Sequence, residues 1–175
     1  MEFPVCSFDL KSGIFCPKCE AKIRSGEVTE LDVQVMKLLQ ELERSISQLG
    51  GLSYRKSVQS GEVVFVVLGE GSLARLTPPQ QAMVRKKISE KLKANVRLVE
   101  DSRDINKFIQ SLVAPARITM VNRIWLPDQS EEMRVVLNDE RSLRIRREVV
   151  EDVVGRVKGV TVRIDFERRG RRRGF

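Results

Sequence analysis

Residues 52–68 read Leu52-Ser-Tyr-Arg-Lys-Ser-Val-Gln-Ser-Gly-Glu-Val-Val-Phe-Val-Val-Leu68, and the fold follows from how this stretch divides. Residues 52–58 alternate roughly between apolar and polar side chains, the period of a half-buried strand. Ser60-Gly61 is a turn signal. Val63-Val-Phe-Val-Val-Leu68 is a β-branched run of strand length. Two strands about a short turn predict a hairpin.

Toward the N-terminus, Leu31, Val35, Leu38, Leu42, Ile46 and Leu49 follow one another at spacings of three and four, which predicts an amphipathic helix running to about Leu49. Thr29-Glu-Leu-Asp32 opens it as a capping-box variant, with an acid three residues after the cap. Gly50-Gly51 stops it. Beyond the hairpin, residues 72–76 form a short helical stretch. Pro78-Pro79 interrupts it, and because proline is tolerated in a first helical turn, a second helix begins there. Val84, Ile88 and Leu92 give that helix one buried stripe. Residues 96–99 make a short strand. The order is α–β–β–α–α–β.

The order then repeats. Ser102 caps a helix to about Val113, ended by Pro115. Residues 117–126 form a strand, Pro127-Asp-Gln-Ser130 a turn, and Met133-Arg-Val-Val-Leu137 a second strand. A short helical stretch over 138–145 precedes a helix carrying Val149, Val150, Val153, Val154 and Val157. Gly159 closes it, and residues 160–166 are the last strand. Trp125 could stack on a base, but its strand position near Val121 and Met133 favours the core. The fold class is α+β: a cysteine-bearing head (1–28), two like units (29–101 and 102–167) and a tail (168–175). Each unit alone is small for a core, and packing the two together would bury more surface.

Composition narrows the function. The chain has 32 Lys and Arg, 24 Asp and Glu, and no His, a net charge of +8. Without histidine there is no Ser-His-Asp or Cys-His catalysis and no Cys₂His₂ finger. Asp101, Asp104, Glu131, Glu132, Asp139 and Glu140 lie at turns and helix starts, where capping explains them. No nucleophile–base pair emerges, so the chain reads as a non-enzyme without a small-molecule substrate. No apolar run approaches a membrane span, and the opening Met-Glu-Phe-Pro-Val-Cys lacks the marks of a signal peptide, which points to the cytoplasm. The tail carries Arg168, Arg169, Arg171, Arg172 and Arg173 and no acid; without these five, 27 basic and 24 acidic residues leave +3. Guanidinium forks match phosphate geometry, so the tail reads as an RNA contact or as a solubilising end. It buries no apolar surface and is expected to be disordered when free.

Three stretches together resemble the archaeal NusA-like transcription factors. They are the cysteine head followed by Ser25-Gly-Glu-Val-Thr-Glu-Leu-Asp32, then Ile88-Ser-Glu-Lys-Leu-Lys-Ala-Asn-Val-Arg-Leu-Val-Glu100, and Leu112-Val-Ala-Pro-Ala-Arg117. The resemblance implies two tandem type-II KH-like αββααβ units, single-stranded RNA binding linked to transcription, and RNA polymerase or the ribosome as partner. KH domains clamp the RNA backbone with a Gly-x-x-Gly loop between consecutive helices. Here the first such place, Thr77-Pro-Pro-Gln-Gln81, has no glycine, and its prolines remove two N–H donors. The second, Arg144-Ile-Arg-Arg147, also lacks glycine but offers Arg144, Arg146 and Arg147, with Arg141 near them and Arg163 in the neighbouring strand. The alternative is a protein-interaction module that has lost RNA binding.

Cys16-Pro-Lys-Cys19 has the spacing of a zinc knuckle, and Lys18 would favour thiolates; alone it also suits a redox pair. The NusA-like resemblance implies a Cys-x₂-Cys…Cys-x₂-Cys head, which maps onto Cys6, Asp9, Cys16 and Cys19, with Asp9 in place of a cysteine. A carboxylate ligates zinc, so a structural Cys₃Asp site is chemically allowed. The plain alternative is a metal-free head packed through Phe3, Val5, Phe8 and Phe15.

Deleting residues 168–175 is expected to weaken binding to unstructured RNA and to flatten its salt dependence, by about 0.7 in the log–log slope for each phosphate no longer neutralised. Electrophoretic shifts across a salt series measure this, and an unchanged slope shows that the tail does not engage the RNA.

Overall fold

The computed structural model describes residues 1–168. It forms two compact units, Met1–Arg103 and a second beginning at Asp104. Each is α+β and holds one three-stranded mixed sheet.

The first unit opens with two short helices, α1 (Ser7–Ser12) and α2 (Pro17–Arg24). With six and eight residues they are too short to show a helical period in the sequence. Helix α3 (Glu30–Leu42) follows, then strands β1 (Tyr54–Ser60) and β2 (Val63–Gly69), helix α4 (Pro78–Leu92) and strand β3 (Asn95–Asp101). A 3₁₀ turn, Leu73–Arg75, precedes α4. β1 and β2 are antiparallel, while β2 and β3 run parallel. The central strand β2 does not alternate because Val64 through Leu68 are all buried, as expected of a strand covered on both faces. Val64, Val66 and Leu68 share a core with Val35, Met36 and Leu39 of α3 and Val84 and Ile88 of α4. Val5, Leu10 and Cys19 belong to that same core, so residues 1–28 are built into the first unit.

The second unit repeats the scheme with α5 (Ile105–Val113), β4 (Ile118–Trp125), β5 (Glu131–Leu137), a 3₁₀ turn at Glu140–Ser142, α6 (Arg147–Lys158) and β6 (Thr161–Phe166). β4 and β5 are antiparallel, and β5 and β6 parallel. Each unit's first strand carries a register shift near its start, at Tyr54/Lys56 and at Ile118/Met120. Phe108, Ile109, Leu112, Val150, Val153, Val154, Val135, Leu137 and Ile164 are among its fully buried side chains.

Four expectations are corrected. The α-helix starting after Thr29 ends at Leu42, not Leu49. The chain tightens into a 3₁₀ turn, Ser47–Gly51, and Ile46 and Leu49 are still buried there, so the apolar spacing persists beyond the α-helix. The cap of α5 is Asp104, whose carboxylate accepts from the Asn106 N–H at 2.9 Å, and not Ser102. Trp125 is 71 % exposed rather than in the core, because it ends edge strand β4 at the hairpin. Phe8 is 76 % exposed, whereas Val5 is buried and Phe3 and Phe15 pack partly against the core. Among the described residues no helix is long and apolar enough to cross a membrane.

The two ends of the first unit's core are tied by Asp32, which is 2 % exposed. One oxygen accepts from the Thr29 N–H and hydroxyl, both at 2.8 Å, which completes a capping box. The other accepts from the Tyr54 hydroxyl at 2.5 Å and the Ser57 N–H at 2.6 Å. The Tyr54 hydroxyl lies also 2.7 Å from Ser57 Oγ, to which it is hydrogen-bonded. Burial, then the negative charge of Asp32 and the hydrogen bond to it, push the Tyr54 phenol far above its ordinary value of 10.0, against the opposing bond with Ser57. The neutral phenol is therefore the form that the folded state favours. Its stabilisation is fully present below about pH 10 and is lost as pH rises further. Tyr54 is the chain's single tyrosine. Near-ultraviolet tyrosinate absorbance should stay flat past pH 10 and rise only with cooperative unfolding. Tyr54→Phe should abolish that signal and cost about 1–3 kcal/mol in denaturant titration, because a buried carboxylate loses a donor.

Candidate metal centre

Cys6 and Asp9 stand at the N-cap and third residue of α1, and Cys16 and Cys19 stand at the same two places of α2. Spacing of three across a helix start brings a cap residue and a third residue over the same helix end. Gly13, with φ 75°, ends α1, and its N–H donates to the Asp9 carbonyl at 2.9 Å. The left-handed turn suits glycine and returns the chain so that Pro17 can open α2. The two helix starts are joined by crossed hydrogen bonds. The Cys6 N–H donates to Cys19 Sγ at 3.3 Å, and the Cys16 N–H donates to Asp9 Oδ2 at 3.0 Å.

The three sulfurs and one carboxylate oxygen all lie within 4.8 Å of one another. A tetrahedral ion with bonds near 2.3 Å requires donor separations of roughly 3.8 Å, so a small contraction completes a site. Cys19 is 3 % exposed, Asp9 is 6 % exposed, and Cys6 is open to solvent. The backbone N–H of Cys6 lowers the pKa of Cys19, but burial and the side-chain bonds of Asp9, Cys16 and Cys6 together push the thiol up to about 12. Asp9 is held below the ordinary carboxylate range by the Cys16 N–H first, then by the thiols of Cys19 and Cys16. Three sulfurs and one carboxylate converging on one point form a donor set that a cation completes. These four side chains could therefore hold a metal ion, and three soft donors favour a thiophilic one.

The arginines expected at an RNA surface lie elsewhere. Arg144, Arg146 and Arg147 line one hollow of about 480 Å³ in the second unit, with Glu140 and Glu148 on its walls. Arg147 Nε is 3.3 Å from Glu148. Arg141 does not line the hollow, and Arg163 on β6 pairs with Glu132 at 3.3 Å. Arg168 is exposed. Arg169, Arg171, Arg172 and Arg173 lie outside the described residues. Sequence reasoning misses that both head pairs occupy helix starts; the available signal is Pro17 directly after Cys16, a first-turn proline.

No protein-family model matches the sequence, and no curated protein matches it. Solved structures do match. One is described as the crystal structure of APE1850: TM-score 0.55 at 14 % identity, covering 75 % of this chain and 96 % of that chain. At that identity the likeness is one of fold.

Elemental analysis of purified protein should find one thiophilic metal ion per chain. Uptake by the metal-free form should release protons, since thiols must ionise to ligate. Asp9→Ala should weaken retention by about 10-fold or more under chelator competition, and Lys18→Ala should not. Absence of stoichiometric metal removes the site.

Proposed function

We propose that this chain is an RNA-binding accessory factor of NusA-like kind, acting in transcription with RNA polymerase or the ribosome as its protein partner. In this reading the two units are tandem type-II KH-like modules, and the head is a structural zinc knuckle of Cys6, Asp9, Cys16 and Cys19. The reading assigns no catalysis: Asp104 and Asp139 are occupied as helix caps.

The observation that carries the proposal is a contrast between two helix starts. In the first unit, Thr77 and Gln80 form a reciprocal capping box, at 3.4 Å and 3.0 Å, and Pro78 and Pro79 fill the first two positions. That end offers no spare donors to a phosphate. In the second unit, α6 begins after Arg146 with no side-chain cap. It starts at the hollow lined by Arg144, Arg146 and Arg147. A helix N-terminus favours anions, so cations crowded at this end suit a phosphate better than they suit the bare helix. The arginine tail adds to this supply of charge.

A second reading is favoured by one feature. Met120, Ile124, Trp125 and Leu126 are each exposed along edge strand β4 and its hairpin. Exposed apolar residues on a sheet edge suit a protein partner.

Replacing Arg144 and Arg147 with Gln should weaken binding of an unstructured oligoribonucleotide by about 10-fold at moderate salt and reduce the log–log salt slope by about 1.4. Fluorescence anisotropy measures both. If the unaltered protein binds no RNA at physiological salt, while Trp125→Ala abolishes a complex captured from native cells, the second reading holds.

A further inference from the structure

The first unit carries a cleft between α1 and α3 that neither the metal centre nor the arginine hollow uses. It measures about 700 Å³, and its walls include Lys11 on α1, Lys37 on α3 and Arg44 just beyond α3. None of these three cations makes an ion pair or a side-chain hydrogen bond among the described residues. Elsewhere, arginines on the second unit's sheet are matched: Arg123 by Glu131, Arg134 by Asp165 and Arg163 by Glu132. The cleft contains one acid, Glu41, so three cations outnumber one anion. Gln40 donates from Nε2 to the Ser7 carbonyl at 3.0 Å and holds α1 to α3 at this place. Lys11 and Arg44 also border an adjoining hollow of about 340 Å³, whose one acid, Glu43, is paired with the N-terminal ammonium at 3.0 Å.

Phe8 supplies the second observation. It precedes Lys11 by three residues on α1, so the two occupy neighbouring positions on one side of the helix. Phe8 is the most exposed aromatic ring of the first unit. The ring does not itself line the cleft; it stands one helical turn before Lys11, which does, and single strands are recognised where cations track the phosphates and a nearby exposed ring stacks on a base. The volume falls in the range of sites for small organic groups, which is room for a nucleotide and more than a lone ion requires.

We infer that the α1–α3 cleft binds single-stranded RNA, with Lys11, Lys37 and Arg44 on successive phosphates and Phe8 stacked on a base. The inference rests on the RNA-binding reading and adds a second binding surface to it. Charge reversal of Lys11 and Lys37 together, in the full-length, metal-loaded chain, is expected to weaken binding of a fluorescein-labelled oligouridylate by about 10-fold or more and to lower the log–log salt slope by about 1.4. The matched reversal of Lys87 and Lys91, exposed on α4 and outside the cleft, is expected to change affinity less than about 3-fold, the share of net charge alone. Phe8→Ala, which alters no charge, is expected to weaken binding about 10-fold at an unchanged slope. Circular dichroism and metal content verify that each variant is folded, and Lys11→Gln with Lys37→Gln replaces the reversal if it is not. Equal losses from the two lysine pairs, with the unaltered protein still binding, overturn the cleft and leave the RNA reading standing. An unaltered protein that binds no RNA overturns both.

Discussion

A buried carboxylate, with no counter-cation among the described residues, organises the first unit. Asp32 accepts four hydrogen bonds, from Thr29, Tyr54 and Ser57, and each donor is neutral. A buried charge is tolerated only when its lone pairs are filled, so the partners are held where Asp32 needs them. Thr29 fixes the start of α3, and Tyr54 and Ser57 fix β1 against it. Tyr54 also donates its N–H to the Glu2 carbonyl at 2.9 Å, and its ring lies 6.3 Å from that of Phe3. The entry of the head, the first long helix and the first strand therefore meet at one side chain.

Half of that network is legible in the sequence. Thr29 and Asp32 are three residues apart, and a capping box is a local motif. Nothing local connects Asp32 to Tyr54, 22 residues on, because that pairing is made by the fold. The same division runs through the rest. Local periods locate β2, α4, α5 and α6 well, since apolar spacing over ten residues is strong evidence. They misplace the end of α3 because a 3₁₀ turn can bury Ile46 and Leu49 with nearly the same spacing. They misplace Trp125 because strand alternation gives a side chain's face and not whether another element covers that end of the strand. At the head, type and spacing reveal the four donors but not their crossing, which needs both helix starts in space.

The two units are built on one cassette of strands and differ at one helix start. Their sheets share strand order, pairing sense and even the register shift in the first strand. They differ where the second long helix begins. Thr77 and Gln80 satisfy the start of α4 internally, and prolines remove the donors that would otherwise need partners. α6 begins among arginines, with no cap and with Glu148 and Glu140 as the acids beside them. Glu148 is held below its ordinary pKa by its own N–H first and then by Arg147 and Arg146. A closed helix start is suited to packing, and an open cationic one to an anion.

The head's geometry decides what its surface can present. A six-residue helix has no stability of its own, because nucleation costs more than one turn returns. α1 holds its position through Leu10 in the core, the Gln40 bond to Ser7 and the donor cluster at Cys6 and Asp9. Phe8 lies between two of those donors in sequence, and Lys11 follows two residues after Asp9. Whatever draws Cys6, Asp9, Cys16 and Cys19 together also sets the angle of Phe8 and Lys11, the two large side chains α1 exposes. Spreading the four donors would loosen the wall of the α1–α3 cleft before it disturbed the sheet, since β1, β2 and β3 are paired independently of α1. The donor cluster thus joins the exposed side of α1 to the core, which Leu10 and Cys19 themselves enter.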